Sequence, residues 1–249
     1  MSHKPGPAEV RAGAVPVTPD ARPERVIAVL GMHRSGTSAL AGSLQGHGLI
    51  LGAFNTVNKY NVRGNRENRS VVGLNEEILS HNGGSWRAPP RAVQWSAEHV
   101  DRAREILAEY AGRPLWGFKD PRTLITVEGW LRLVPDLEFV GIFRHPGRVA
   151  RSLASRPNLP VEDPIGVWRA YNERLLELHR RRPFPVLSFD DEPDVLERNF
   201  ARAAGMLALT RGSEVEPFFT EDLRRMEAEP VELPAEVSAL YEELRALAL

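Results

Sequence analysis

The sequence predicts an α/β protein, a three-layer sandwich in which a central, mainly parallel β-sheet is flanked by helices. Short apolar runs rich in β-branched and aromatic residues alternate with stretches of helical length and helical spacing. The runs are continuous rather than alternating, as strands covered on both faces require. Glycine, proline and helix-capping residues fall at the junctions. With 249 residues, 42% hydrophobic and 26% charged, the chain can bury one substantial core.

The first twenty-four residues carry Pro5, Pro7, Pro16, Pro19 and Pro23 without apolar periodicity, and read as a disordered tail before a single domain over 25–249. Val26 to Leu30 is the first strand, closed by Gly31. A helix follows from Thr37 to Gln45, with Gly46 and Gly48 as stop signals. Asn55 to Asn68 is a polar surface loop, and Ser70 to Ser80 is a helix with Val71, Leu74, Ile78 and Leu79 on one side. His81 to Trp95, broken by Gly83-Gly84 and Pro89-Pro90, is a second long loop. Ser96 caps a helix over Ala97–Ala111 that Gly112 closes.

Further on, Leu115 to Phe118 reads as a strand, Thr123 to Val134 as a helix, and Leu137 to Phe143 as a strong strand. Pro146 to Ser155 is helical, and Asp163-Pro164 starts a helix carrying Trp168, Tyr171, Leu175 and Leu178. Pro185 to Phe189 is a strand, Pro193 to Ala204 a helix, Arg211-Gly212 part of a loop, and Pro234 to Leu249 an amphipathic terminal helix.

Composition excludes several classes. A formal net charge of −1 provides no general basic field for a nucleic-acid backbone. No cysteine is present, which excludes disulfides, thiolate zinc sites and cysteine nucleophiles. The apolar runs are too short to span a bilayer, and the start lacks the apolar core of a signal peptide, so a cytoplasmic protein is expected. Nothing in the sequence indicates an oligomeric state. The lysines are Lys4, Lys59 and Lys119 alone, which draws attention to the setting of each.

In such folds ligands bind beyond the carboxyl ends of the strands. Gly31-Met32-His33-Arg34-Ser35-Gly36-Thr37-Ser38 lies there, with G-x-x-x-x-G spacing between a buried strand and a helix start. Successive amides and the helix N-terminus make an anion cradle, and glycine lets a phosphate approach closely. This makes the sandwich a P-loop-type one. The G-K-[ST] continuation of a nucleoside-triphosphate loop is missing: Thr37 and Ser38 follow Gly36, and the cation is Arg34 within the loop. A phosphosulfate, with fewer terminal charges, suits it better than MgATP.

Beyond the strand ending at Phe143 stand Arg144, His145 and Pro146, with Ser152 eight positions after Arg144 on the polar side of the next helix. An arginine and a hydroxyl converging there can grip a phosphate by charge-assisted hydrogen bonds. Lys119, Asp120, Pro121 and Arg122 follow the strand between these two motifs, leaving Lys119 and Asp120 at the sheet's carboxyl edge.

The loop His33-Arg34-Ser35-Gly36-Thr37-Ser38 resembles the 5′-phosphosulfate-binding loop of sulfotransferases that use 3′-phosphoadenosine-5′-phosphosulfate (PAPS). Its arginine is similar to that of the tyrosylprotein and many bacterial members. Arg144 with Ser152 resembles the family's 3′-phosphate motif, and Lys119-Asp120-Pro121 a segment whose lysine reaches the transferring group. The resemblance spans about Arg25 to Ala208 and keeps the motifs in family order. It implies transfer of a sulfuryl group from PAPS to a hydroxyl of a small-molecule acceptor, releasing adenosine 3′,5′-bisphosphate, with no metal required. Arg34 and Lys119 would neutralise the leaving phosphate and sulfuryl oxygens, and the Ser35 to Ser38 amides would hold the 5′-phosphate.

A general base is also expected. Glu67, in Gly64-Asn65-Arg66-Glu67-Asn68, is the first choice, similar to a glycine-then-glutamate segment in bacterial relatives; Asp120, His33, His81 and His145 are alternatives. Competing readings are a kinase or other NTPase with an atypical loop, and a non-catalytic nucleotide-binding protein of the same fold. The acceptor, whether sugar, phenol, lipid or other natural product, is not encoded in these motifs; Trp86 and Trp95 are candidates for its pocket.

Overall fold

A computed structural model describes residues 21–54, 64–155, 160–210 and 232–249. The expected tail up to residue 20, the loop over 55–63 and Arg211-Gly212 lie outside the described residues. The elements run β1 (Val26–Leu30), α1 (Thr37–Gly46), α2 (Arg69–His81), α3 (Ala97–Ala108), β2 (Trp116–Lys119) and α4 (Thr123–Leu133). Then follow β3 (Glu138–Phe143), α5 (Pro146–Ala154), α6 (Pro164–Arg181), β4 (Val186–Ser188), α7 (Pro193–Met206) and α8 (Ala235–Leu247).

The four strands form one parallel sheet in the order β2-β1-β3-β4. Every residue of β1 is buried, as the unbroken run Val26-Ile27-Ala28-Val29-Leu30 demands. Its side chains alternate between two cores. Val26, Ala28 and Leu30 meet α2, α3, α4, α5, α6 and α8 on one face. Ile27 and Val29 meet α1 and α7 on the other. Helices therefore cover both faces, and the sandwich is lopsided. The thick layer contains Trp116, Trp130 and Trp168, each fully buried and worth about 1.5–3 kcal/mol or more of apolar transfer.

Local sequence sets most helix starts. Asn68 caps α2 by accepting from the amides of Ser70 and Val71. Ser96 and His99 form a capping box on α3. His145 and Asp163 cap α5 and α6, each ahead of a proline at the first helical position. Helices α1, α4, α7 and α8 have no side-chain cap, and of the described helices α1 alone starts from a left-handed N-cap residue, Gly36 at φ +90°.

Most boundaries shift by one to three residues from the periodicity, and two of the shifts have a clear physical cause. Helix α3 stops at Ala108 rather than Ala111 because Tyr110 turns inward, stacks on Trp116 at 4.4 Å and accepts from Asn68 Nδ2 at 2.9 Å. Strand β2 runs one residue beyond Phe118, since Lys119 pairs in register with Val29 of β1.

The topology opens a crevice. From adjacent strands, β1 leads into α1 on one face while β3 leads into α5 on the other. The carboxyl ends of β1 and β3 thus diverge into a cleft, the general position for a ligand in an open parallel sheet.

Candidate active site

The loop after β1 is shaped by backbone constraint. Gly31 has φ +146°, and a Cβ there would stand 2.3 Å from the Ile142 carbonyl oxygen. A Cβ at Gly36 would stand 2.3 Å from the Phe189 ring. Arg34, at φ +70°, is a non-glycine residue in the left-handed region, which costs about 1 kcal/mol or more. Its side chain is anchored: Nε donates to Ser152 Oγ at 2.8 Å, across 118 residues of sequence.

Ser35 is fully buried, and its Oγ has no hydrogen-bond partner among the described residues. An orphaned buried hydroxyl beside an uncapped, non-acidic helix start is the chemistry of a cradle that accepts an anion. The residues present fit a phosphate or phosphosulfate group. Thr37 is buried in the first turn of α1, and Ser38 Oγ donates to the Asn65 carbonyl at 3.2 Å, tying the loop to 64–68. His33 packs its ring on Trp86 at 4.4 Å, with Tyr171 behind it at 6.3 Å.

At the end of β2, Lys119 Nζ donates to Glu67 Oε1 at 2.7 Å. The lysine side chain is 1% exposed and the glutamate 14%. Burial pushes the Lys119 ammonium down from its ordinary value, and the Glu67 carboxylate opposes that shift. The adjacent Asp120 is fully buried and committed elsewhere. It accepts from Arg122 Nη1 at 2.7 Å and from Asn75 Nδ2 at 2.8 Å. Asn75 Oδ1 in turn accepts from Thr126 Oγ1 and Trp130 Nε1, and Arg122 reaches Glu76. This network joins α2 to α4 beneath the site and holds Asp120 as a structural acceptor.

The end of β3 brings in Arg144 and Ser152, both buried. The Arg144 guanidinium lies 5.3 Å from the Phe189 ring centroid, and its carbonyl accepts from Trp168 Nε1 at 2.8 Å. Phe189 therefore sits under Arg144 and against Gly36 at once. In the sequence Phe189 marks only a strand terminus. Its neighbour Asp190, which carries no motif, accepts the His145 amide at 2.5 Å. A signal was available, since Phe189-Asp190 directly follows β4, whose carboxyl edge must face the same cleft.

Of the histidines considered as alternative bases, His33 lies in the loop itself, His145 adjoins Arg144 as a helix cap, and His81 lies apart. His145 Nδ1 accepts the Gly147 amide as the α5 cap, and its ring packs on Tyr241. His81 faces His99 at the end of α2. A cavity of about 660 Å³ opens at the amino edge of the sheet, lined by Leu137, Phe139, Phe184, Val186, Leu207 and Leu249, away from these motifs. Trp95 packs against Gly129 of α4 rather than at the strand ends.

No protein-family model matches the chain, and no curated protein matches it. Among solved structures it is similar to the sulfotransferase STF1 from Mycobacterium tuberculosis H37Rv (type1 form), with a TM-score of 0.45 and 15% identity over 91% of this chain and 78% of that one. No described helix is long and apolar enough to cross a membrane.

Proposed function

We propose that this chain is a sulfotransferase that binds PAPS in the crevice between β1 and β3 and sulfates a hydroxyl of a small-molecule acceptor. The observation that carries the reading is the Arg34 Nε–Ser152 Oγ bond of 2.8 Å. It joins the two anion-binding motifs into one site, as a nucleotide bearing phosphate at both 5′ and 3′ positions requires. The uncapped start of α1 and the orphaned Ser35 hydroxyl support the 5′-side assignment. Buried Arg144 and Ser152 support the 3′ side.

The donor supplies a sulfuryl group that passes to the acceptor oxygen as its bond to the 5′-phosphate breaks. The chain's part is to position and to neutralise developing charge. His33 to Ser38 cradle the 5′ side, with Arg34 balancing charge at the leaving phosphate. Lys119, buried and therefore strongly felt, stabilises the transferring oxygens. Glu67 takes the acceptor's proton. Because Lys119 and Glu67 are paired with each other, an arriving anion competes for the ammonium, and the carboxylate becomes available as the donor binds.

Titration with adenosine 3′,5′-bisphosphate and with MgATP, followed by thermal shift, tests the donor. Stabilisation by the bisphosphate alone is expected, and stabilisation by MgATP alone would replace this reading with an NTPase one. Labelled PAPS offered with sugar, phenol and lipid acceptors then identifies the second substrate. Binding without transfer to any acceptor class would make the chain a nucleotide-binding protein.

A further inference from the structure

Three strand-end segments meet at Phe189 and Asp190, which neither motif includes. The Phe189 amide donates to the Phe143 carbonyl at 2.8 Å, fastening the end of β4 to the end of β3. Asp190 follows at once, with its side chain only 10% exposed. Oδ2 accepts the His145 amide at 2.5 Å and the Tyr241 hydroxyl at 3.3 Å. Oδ1 lies 3.2 Å from Arg148 Nη1, one turn into α5. The Asp190 amide bonds Ser188 Oγ at 3.2 Å, so the carboxylate is itself held.

Consequently Arg144 is clamped on three sides. Trp168 holds its carbonyl, Asp190 holds the next amide, and Phe189 lies beneath the guanidinium. The Asp190 carboxylate also occupies the amino end of α5, the place where a helix would otherwise offer its own positive end to a ligand. A phosphate arriving there must be met by side chains, and the side chain in place is that of Arg144.

We propose that Asp190 is a positioning residue that sets Arg144 for the 3′-phosphate and so determines the preference for a 3′-phosphorylated nucleotide. This rests on the donor reading given above. Asp190 touches no reacting atom in it; the residue acts through the backbone at 144–145. A carboxylate beside an anion site is unfavourable for bulk electrostatics, so its presence calls for such a geometric role.

The test compares binding of adenosine 3′,5′-bisphosphate with that of adenosine 5′-monophosphate by calorimetric titration. Native protein is expected to favour the bisphosphate, and Arg144→Ala to lose that preference. Asp190→Ala should lower the ratio of the two affinities about 10-fold or more, by removing a charge-assisted hydrogen bond. Affinity for the monophosphate and kcat at saturating donor should stay near native. Asp190→Asn retains an acceptor for the His145 amide and should keep most of the preference, and it serves as the folded control if the alanine variant is unstable. An unchanged ratio in Asp190→Ala, or equal loss for both nucleotides, overturns the proposal. Absence of any preference in the native protein would instead sink the assignment of Arg144, and this inference with it.

Discussion

Lys119 Nζ and Glu67 Oε1 stand 2.7 Å apart, the lysine wholly enclosed and the glutamate nearly so. The two residues with the strongest claims to chemistry are thus each other's counter-ion. Removing either one leaves the other buried and unbalanced, so single variants must be read against the pair.

Replacing Glu67 by Gln should lower kcat/KM about 100-fold or more, in the range of a lost general base. Affinity for adenosine 3′,5′-bisphosphate should hold or rise, because Lys119 no longer has to leave a carboxylate. Steady-state kinetics beside titration calorimetry separates the two effects; an unchanged kcat/KM removes Glu67 from the mechanism.

Lys119→Met should abolish most turnover, and it should also cost stability by stranding Glu67. The double variant Lys119→Met with Glu67→Gln should be more stable than the sum of the single changes predicts, with a coupling of about 1–3 kcal/mol. Urea unfolding of all four proteins measures it. Additive single effects would contradict a coupled pair.

Gly36→Ala inserts a Cβ at φ +90°, 2.3 Å from the Phe189 ring. A loss of about 1–3 kcal/mol is expected from strain and overpacking. Since Phe189 also lies beneath Arg144, bisphosphate affinity should fall as well. Denaturant midpoints and nucleotide titration report the two losses, and a neutral Gly36→Ala would show that the loop is not constrained as described.

Asn75 bonds Asp120, Thr123, Thr126 and Trp130 from a fully buried position. Asn75→Ala orphans several of these groups and should destabilise by about 2–4 kcal/mol. Thermal or urea melts check it; a shift below about 0.5 kcal/mol would mean that water replaces the side chain.

Burial holds the His145 pKa below its ordinary value, with Asp190 opposing and Arg148 reinforcing the shift. An unfolded histidine takes its proton first, so this residue's contribution to stability is full above about pH 6.5 and is lost as pH falls below it. Protonation also removes the Nδ1 acceptor that caps α5. His145→Asn keeps a capping acceptor without titrating, and should flatten the decline of the denaturant midpoint between pH 6.5 and 5. An identical slope in both proteins would show that other groups carry the acid sensitivity.

Much of this protein was legible along the chain. Val26–Leu30 declares a doubly covered strand, because a run with no polar residue has no face to give to solvent. Ser96, Asp163-Pro164 and the paired glycines of 31 and 36 mark their own helix starts and turns, since capping and positive φ are local demands. The α/β sandwich and its ligand edge follow from those signals. What distance in sequence hides is which of these local features touch. Nothing near Lys119 announces that its ammonium will find Glu67, nothing near Arg34 names Ser152, and Phe189-Asp190 resembles an ordinary strand end. Those contacts arise because parallel pairing aligns the carboxyl ends of β1, β2, β3 and β4, and a desolvated charge must then take the partner the sheet brings within reach.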